Sequence, residues 1–325
     1  MSVSILLPYF NAAPWIIETI SSIQSQSAED WELICVNDFS TDGSETLVQE
    51  IALTDNRVKN LSNVNKGIIP ALQLALSKAN GTYITRMDAD DLMTKNRLKL
   101  MNSKLDTLPE RSIVTGKVRY FSDGELSDGF VKYEHWINER VDLKDHYKHI
   151  YRECVVASPN WMARKSEIIE LELFEKLVYP EDYDLVFHWQ ENGVQIHAIN
   201  EVTLEWRDHP SRTSKNSETY SQEELFKLKT NWFLNNRKKN GTLAVLGAGT
   251  KGKLVANILN ANHIKFRWYD FNFKKYQGKP GANIEDYSQL DESEVLVTIY
   301  PQRRDELEAF LTTKGYDFGV NAWYF

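Results

Sequence analysis

Apolar runs and helical stripes alternate along the first ninety or so residues of this chain. Val3–Leu7 is a short apolar stretch of the kind that forms a buried strand. Trp15–Gln24 carries Ile16, Ile20 and Ile23 at helical spacing. Trp31–Val36 predicts a second strand that runs into Asn37-Asp38, and Ser44–Leu53 a second helix. Arg57–Leu61 predicts a short strand, Ile69–Lys78 a helix stopped before Asn80-Gly81, and Tyr83–Met87 a further strand. Strands alternating with short helices predict an α/β fold with a mostly parallel sheet, helices covering both faces. In such sheets ligands gather at the carboxyl ends of the strands. Later, Ser221–Lys239 predicts an amphipathic helix with Leu225, Leu228 and Trp232 on one face. After Asn240-Gly241, the strand-like Thr242–Leu246 leads into Gly247-Ala248-Gly249-Thr250-Lys251-Gly252 and a helix through Leu259. Phe266–Tyr269, ending at Asp270, and Leu296–Ile299 predict two more strands.

The run Thr85-Arg86-Met87-Asp88-Ala89-Asp90-Asp91 gives the first of these sheets its chemistry. Clustered carboxylates repel one another and are costly unless a cation sits among them. Oxygen ligands with room for water and phosphate suit Mg2+ or Mn2+, which take one or two carboxylates plus a substrate diphosphate. The same residues also suit a solvated turn in which Asp91 caps a helix over Leu92–Leu105. Asp38 lies at another strand end, so it and the cluster are expected to face one crevice.

Composition narrows the partners. Lys plus Arg number 38 against 46 Asp plus Glu, a net charge of −8, which argues against a nucleic-acid partner held by a broad basic face. It leaves room for small anions bound by local cations or a metal. Cys35 and Cys154 lie far apart and suggest neither a disulfide nor a zinc framework. The amino terminus has no basic segment ahead of Val3, and no apolar run approaches the ~20 residues of a membrane helix. The expected location is therefore cytoplasmic. Peripheral contact with the inner membrane face is left to Arg237-Lys238-Lys239, which serve equally as favourable charges at a helix end.

Val3–Asn11 (VSILLPYFN), Val36–Ser44 (VNDFSTDGS), Asn65-Lys66-Gly67, Met87–Asp91 (MDADD), Tyr179–Leu185 (YPEDYDL) and Trp206–Ser214 (WRDHPSRTS) resemble, in order, the signatures of family 2 glycosyltransferases. The resemblance covers residues 1–215 or so and implies the GT-A fold. It also implies inverting transfer of a sugar from a nucleotide-sugar donor, a UDP-sugar by preference, to an acceptor hydroxyl on a glycan, a lipid-linked molecule or another compound, in bacterial-type surface polysaccharide synthesis. Carried over residue by residue, it implies that Pro8, Tyr9 and Phe10 frame the base and that Asp38 accepts its imide N–H. Asn37 departs from the usual aspartate, but at the position that does not bind the base. Lys66 belongs to the donor site. Asp88 approaches the ribose or base, Asp90 coordinates the metal, and Asp91 is a second ligand or a cap. His209 completes the metal shell from a closing loop, with Arg207 and Arg212 donating to phosphate. Asp182 is the general base and Glu181 orients the loop or binds a hydroxyl. The pair also suits the first turn of a helix.

The stretch 115–164 is aromatic, with Trp136, Tyr147, Tyr151 and Trp161 suited equally to sugar stacking and to core filling. Asn160 and Trp161 are the local candidates for acceptor contact. The expected organisation is a transferase domain over 1–220, a linking helix over 221–240 and an α/β domain over 241–325. That last part resembles the small Rossmann-like modules attached to some sugar-modifying enzymes. There Gly247, Gly249 and Gly252 are candidate phosphate-loop residues, and a packing or docking role fits them as well. The alternative for the whole chain is a non-catalytic nucleotide-sugar-binding or scaffold protein that docks a partner through this module.

Overall fold

The computed structural model describes residues 2–122, 124–236, 241–277, 283–299 and 304–325. The chain divides into two units, Met1–His146 with Val155–Lys215, and Tyr147–Cys154 with Asn216–Phe325. This differs from a boundary near residue 220. The helix expected to link the domains belongs to the second unit, together with a short excursion of chain from the middle of the sequence.

In the first unit the elements follow the alternation of the sequence: β1 (Val3–Tyr9), α1 (Ile16–Gln24), β2 (Trp31–Asn37), α2 (Ser44–Thr54), β3 (Val58–Ser62), α3 (Ile68–Lys78) and β4 (Tyr83–Arg86). Every residue of β1 is buried, which explains its unbroken apolar run and its place inside the sheet. In α1, Ile16, Thr19, Ile20 and Ile23 turn inward along one stripe. A helix over Leu92–Leu105 does not form. Leu92–Met93 is instead β5, and α4 spans Arg97–Leu105. The physical reason is tertiary: Leu92 and Met93 pair antiparallel with Glu205 and Leu204.

The remaining elements of this unit are β6 (Ser112–Phe121), α5 (Asp128–Leu143), β7 (Trp161–Arg164), α6 (Lys165–Glu170), α7 (Glu181–Glu191), β8 (Gln195–Arg207) and the short α8 (Thr213–Asn216). The sheet has eight strands in the order β3-β2-β1-β4-β7-β6-β8-β5. β1 to β4 are mutually parallel, whereas β7 runs antiparallel to both β4 and β6. Chain order reverses beside β1, so the carboxyl ends of β1, β2 and β4 open onto a switch point of the kind where ligands bind.

The second unit contains α9 (Gln222–Asn236), β9 (Leu243–Leu246), α10 (Thr250–Ala261), β10 (Arg267–Asp270), β11 (Ile284–Asp286), β12 (Glu294–Val297), α11 (Arg304–Thr313) and β13 (Ala322–Tyr324). Arg237-Lys238-Lys239 lie outside the described residues. The five strands are all parallel, in the order β11-β10-β9-β12-β13. Leu246, Tyr269, Val295, Val297, Leu307 and Leu311 form part of its own core. Among the described residues, no helix is long and apolar enough to cross a membrane.

Candidate active site

The carboxyl ends of β1 and β2 meet through backbone and side chain alike. The Asp38 N–H donates to Tyr9 O at 2.8 Å, and the Asn11 N–H to Ser40 Oγ at 3.0 Å. The Asp38 carboxylate is fixed by the Gly67 N–H, at 2.8 and 3.0 Å, and by Asn63 Nδ2 at 2.8 Å. Gly67 has φ +128, and a Cβ there would stand 2.8 Å from the Tyr179 hydroxyl. Only glycine lets the chain pass so close. The segments carrying Lys66 and Glu181 are thereby drawn together. Lys66 Nζ lies 5.5 Å above the ring of Phe10, which is half exposed, whereas Tyr9 is buried and its hydroxyl donates to Asn60 Oδ1 at 2.8 Å.

The acidic turn after β4 is built on a buried arginine that sequence reasoning did not single out. Arg97 is wholly buried, and its guanidinium donates to Thr85 Oγ1 at 2.8 Å, Arg86 O at 3.2 Å and Pro159 O at 2.5 Å. Burial lowers its pKa to about 9, against which the charges of Asp91 and Asp88 hold the proton on. The signal in the sequence was faint: an arginine on the otherwise apolar stripe of Leu98, Met101 and Leu105. Above it, Arg86 donates to Asp88 Oδ1 and to Glu181 Oε1, both at 2.9 Å. The pair with Glu181 is buried on both sides, where removing one partner costs ~3–5 kcal/mol. Arg86 therefore ties the acidic turn to the first turn of α7.

Asp182 lies in that turn, half-buried, with Oδ1 accepting from the Tyr183 N–H at 2.9 Å. Burial first, and then the neighbouring charge of Glu181, raises its pKa to about 7. A carboxyl titrating there can gain and lose a proton at neutral pH. The helix start and the proton-accepting role expected of these residues are compatible: Glu181 and Asp182 occupy the first turn after the cap residue Pro180.

Asp91 is not a helix cap. It is buried, with Oδ1 accepting from the Arg207 N–H at 2.8 Å and Oδ2 buried without a partner. Burial, followed by repulsion from Asp90 and Asp88, raises its pKa well above the carboxylate range. His209 Nε2 lies 2.8 Å from Asp90 Oδ2, while its Nδ1 is buried and unpartnered. The imidazole stacks on the indole of Trp15, with ring centroids 3.8 Å apart. Arg207 is less available than expected. Its guanidinium donates to Asp90 O at 2.8 Å and Glu18 Oε2 at 2.5 Å, so here it braces the turn. Arg212 lies among Trp206, Phe130 and Tyr120, 5.2 to 5.8 Å from their ring centroids.

Asn160 and Trp161 are core residues and correct the expected acceptor position. Asn160 is fully buried, donating to Gly116 O at 2.8 Å and accepting from Thr203 Oγ1 at 2.7 Å. Trp161 packs edge-on to Trp189 and Phe174. Trp136 and Tyr151 are buried as well, so these aromatics fill cores. Among the described residues, no cluster of three or more His, Cys, Asp or Glu is arranged to hold a metal by itself.

In the second unit Gly252 serves packing, since a Cβ there would stand 2.0 Å from Gly247 O. Gly247 takes φ +116, and Gly249 faces open space. Asp270 Oδ2 accepts from the Ala248 N–H at 2.7 Å.

An eight-stranded mixed sheet with a β1–β4 switch point and an acidic turn at its carboxyl edge defines the GT-A class of glycosyltransferases. Residues 4–171 match the model for glycosyl transferase family 2, just over half of the chain, and the chain belongs to that family. It is similar to the Bacillus subtilis glycosyltransferase TuaG, whose name places it in teichuronic acid biosynthesis. The two are 34% identical over 133 residues, 40% of this chain and 52% of that one. The chain spans 24% to 52% of the length of the first three curated relatives it matches. Its fold is similar to that of Staphylococcus aureus TarS in complex with UDP, at TM-score 0.53 and 18% identity, covering 86% of this chain and 74% of that one. It is also similar in fold to the mannosyltransferase PcManGT from Pyrobaculum calidifontis in complex with GDP-Man and Mn2+, at TM-score 0.52 and 18% identity, covering 79% and 69%.

Proposed function

We propose that the chain is an inverting, metal-dependent transferase that moves a sugar from a nucleoside-diphosphate donor, a UDP-sugar by preference, to an acceptor hydroxyl in surface-glycan synthesis. The observation that carries this reading is the bridge Asp88–Arg86–Glu181, buried at Arg86 and Glu181, which joins the acidic turn to the helix start bearing Asp182. It sets a proton acceptor of pKa about 7 beside a set of strand-end carboxylates. TarS with UDP and PcManGT with GDP-Man support a nucleotide donor in this fold.

The residues fit a divalent cation. The unpartnered, buried Asp91 Oδ2 calls for either a proton or a cation, and Asp90 with His209 supplies the carboxylate and imidazole donors such an ion accepts. Asp90, Asp91 and His209 would hold such an ion, which would offset the charge that grows on the leaving diphosphate. Asp38 takes the N–H edge of the base, framed by Pro8, Tyr9 and Phe10, while Asp88 faces the ribose. Lys66 and Arg212 complete the positive surroundings of the diphosphate, while Arg207 braces the acidic turn.

Asp182 removes the proton of the acceptor hydroxyl as its oxygen bonds to the anomeric carbon. The bond from that carbon to the phosphate oxygen breaks on the opposite side, its electron pair leaving with the nucleoside diphosphate. Glu181, held by Arg86, fixes the turn so that Asp182 keeps its bearing. Donor hydrolysis assayed across UDP-, GDP-, CDP- and ADP-sugars, with Mn2+ and with chelator, tests the reading. A single preferred base with metal-dependent release of inverted sugar is expected, and release that is indifferent to chelator contradicts the metal.

A further inference from the structure

Beside Asp38 the chain does something physically expensive. Phe39 adopts φ +62, a left-handed conformation that a residue with a bulky Cβ substituent avoids, yet the residue is 49% exposed. Phe10, on the adjoining strand end, is 50% exposed. The two loops are laced together next to these rings: the Asn11 N–H donates to Ser40 Oγ at 3.0 Å, and the Thr41 N–H to Asn11 Oδ1 at 2.8 Å. Phe10 and Phe39 are each one residue from that shared contact. Among the described residues, neither stacks on another ring. Core packing therefore does not account for keeping an aromatic at position 39, where glycine would relax the backbone.

We infer that Phe39 is a donor-binding residue, and that it and Phe10 present two aromatic faces to the nucleobase of the donor. Asp38 between them takes the base's N–H edge. The inference rests on the nucleotide-donor reading above and adds to it a second stacking face, set by a strained backbone. A base suits this place better than an apolar protein surface does. A carboxylate stands beside the rings, and the Lys66 ammonium lies over Phe10, ready for a phosphate. Every base has a flat π face, and stacking of this kind strengthens binding about 5- to 100-fold.

The test is calorimetric titration of the full chain with UDP, GDP, CDP, ADP and pyrophosphate in Mn2+, on wild type, Phe39→Gly and Phe39→Tyr, alongside thermal melting. Phe39→Gly is expected to weaken the preferred nucleoside diphosphate roughly 5- to 100-fold and to leave pyrophosphate unchanged. Its Tm should hold or rise by about 2–3 °C, because glycine tolerates the left-handed backbone. Phe39→Tyr should bind like wild type. Unchanged nucleotide binding by Phe39→Gly overturns the inference. So does a fall in Tm, which would mark a packing residue, or an equal loss of pyrophosphate, which would mark damage to the phosphate side. A wild-type chain that binds none of the four nucleotides overturns the donor reading and this inference with it.

Discussion

The two sheets end alike and mean different things. Each is parallel around a central strand, and each carries an acid at the carboxyl edge. In the second unit Asp270 is fully employed: Oδ2 accepts from the Ala248 N–H at 2.7 Å and Oδ1 from the Asn272 N–H at 2.6 Å. Gly252 has a packing reason as well, because any side chain there would run into Gly247. Among the described residues, no buried side-chain nitrogen or oxygen of this loop lacks a partner, and Gly249 faces open space. In the first unit, by contrast, carboxylates are crowded together, one buried oxygen of Asp91 lacks a partner, and Asp182 is driven toward neutrality. A motif whose groups satisfy one another reports on the fold, whereas one that stays costly points to something that binds.

That contrast can be broken most sharply at Asp90. Asp90→Asn should lower sugar transfer about 1,000-fold or more while the melting temperature holds, because the role proposed for the residue is ligation and not packing. Steady-state kinetics with thermal melting would show it, and near-wild-type turnover would remove the acidic turn from the mechanism. Asp182→Asn should reduce kcat about 100-fold or more and leave donor affinity near normal. The wild-type rate should fall on the acid side of about pH 7, where Asp182 takes up its proton. The same raised pKa means that ionised Asp182 destabilises the fold, a penalty present above about pH 7 and lost at lower pH. Asp182→Asn should therefore raise Tm more at pH 8 than at pH 5. On the other side of the comparison, Gly252→Ala should cost the second unit about 2–4 kcal/mol, read by denaturant melting of the full chain, since backbone must move to admit the Cβ. Gly249→Ser, facing open space at a helix cap, should change stability by less than about 0.5 kcal/mol.

The sequence made the first half of the molecule legible wherever local pattern and tertiary role agree. The elements from Val3 to Arg86 fall within a residue or two of their apolar runs, because β1, β2 and β4 are buried almost throughout and only the edge strand β3 is partly exposed. The helix expected over Leu92–Leu105 failed because pairing with Leu204 and Glu205 outweighed local periodicity. β6, β7 and β8 were hidden for the same reason, since their partners are distant in sequence. The acidic turn was plain, being several charges in a row. Its supports were not. Arg97, Glu18 and Trp15 act through contacts of 11 to 194 residues' separation, and no short motif records them. Asn160 and Trp161 looked like a polar–aromatic pair fit for a sugar, but side-chain type alone does not say which way a residue faces, and both turn into the core.

On the function proposed, nucleotide binding belongs to the acidic edge of the first sheet and not to the glycine loop of the second. Calorimetry of the preferred nucleoside diphosphate with Mn2+, on full-length Asp90→Asn and Gly249→Val side by side, tests it directly. Asp90→Asn is expected to weaken binding about tenfold or more, while Gly249→Val binds as wild type does. Intact binding by Asp90→Asn together with loss in Gly249→Val would contradict it.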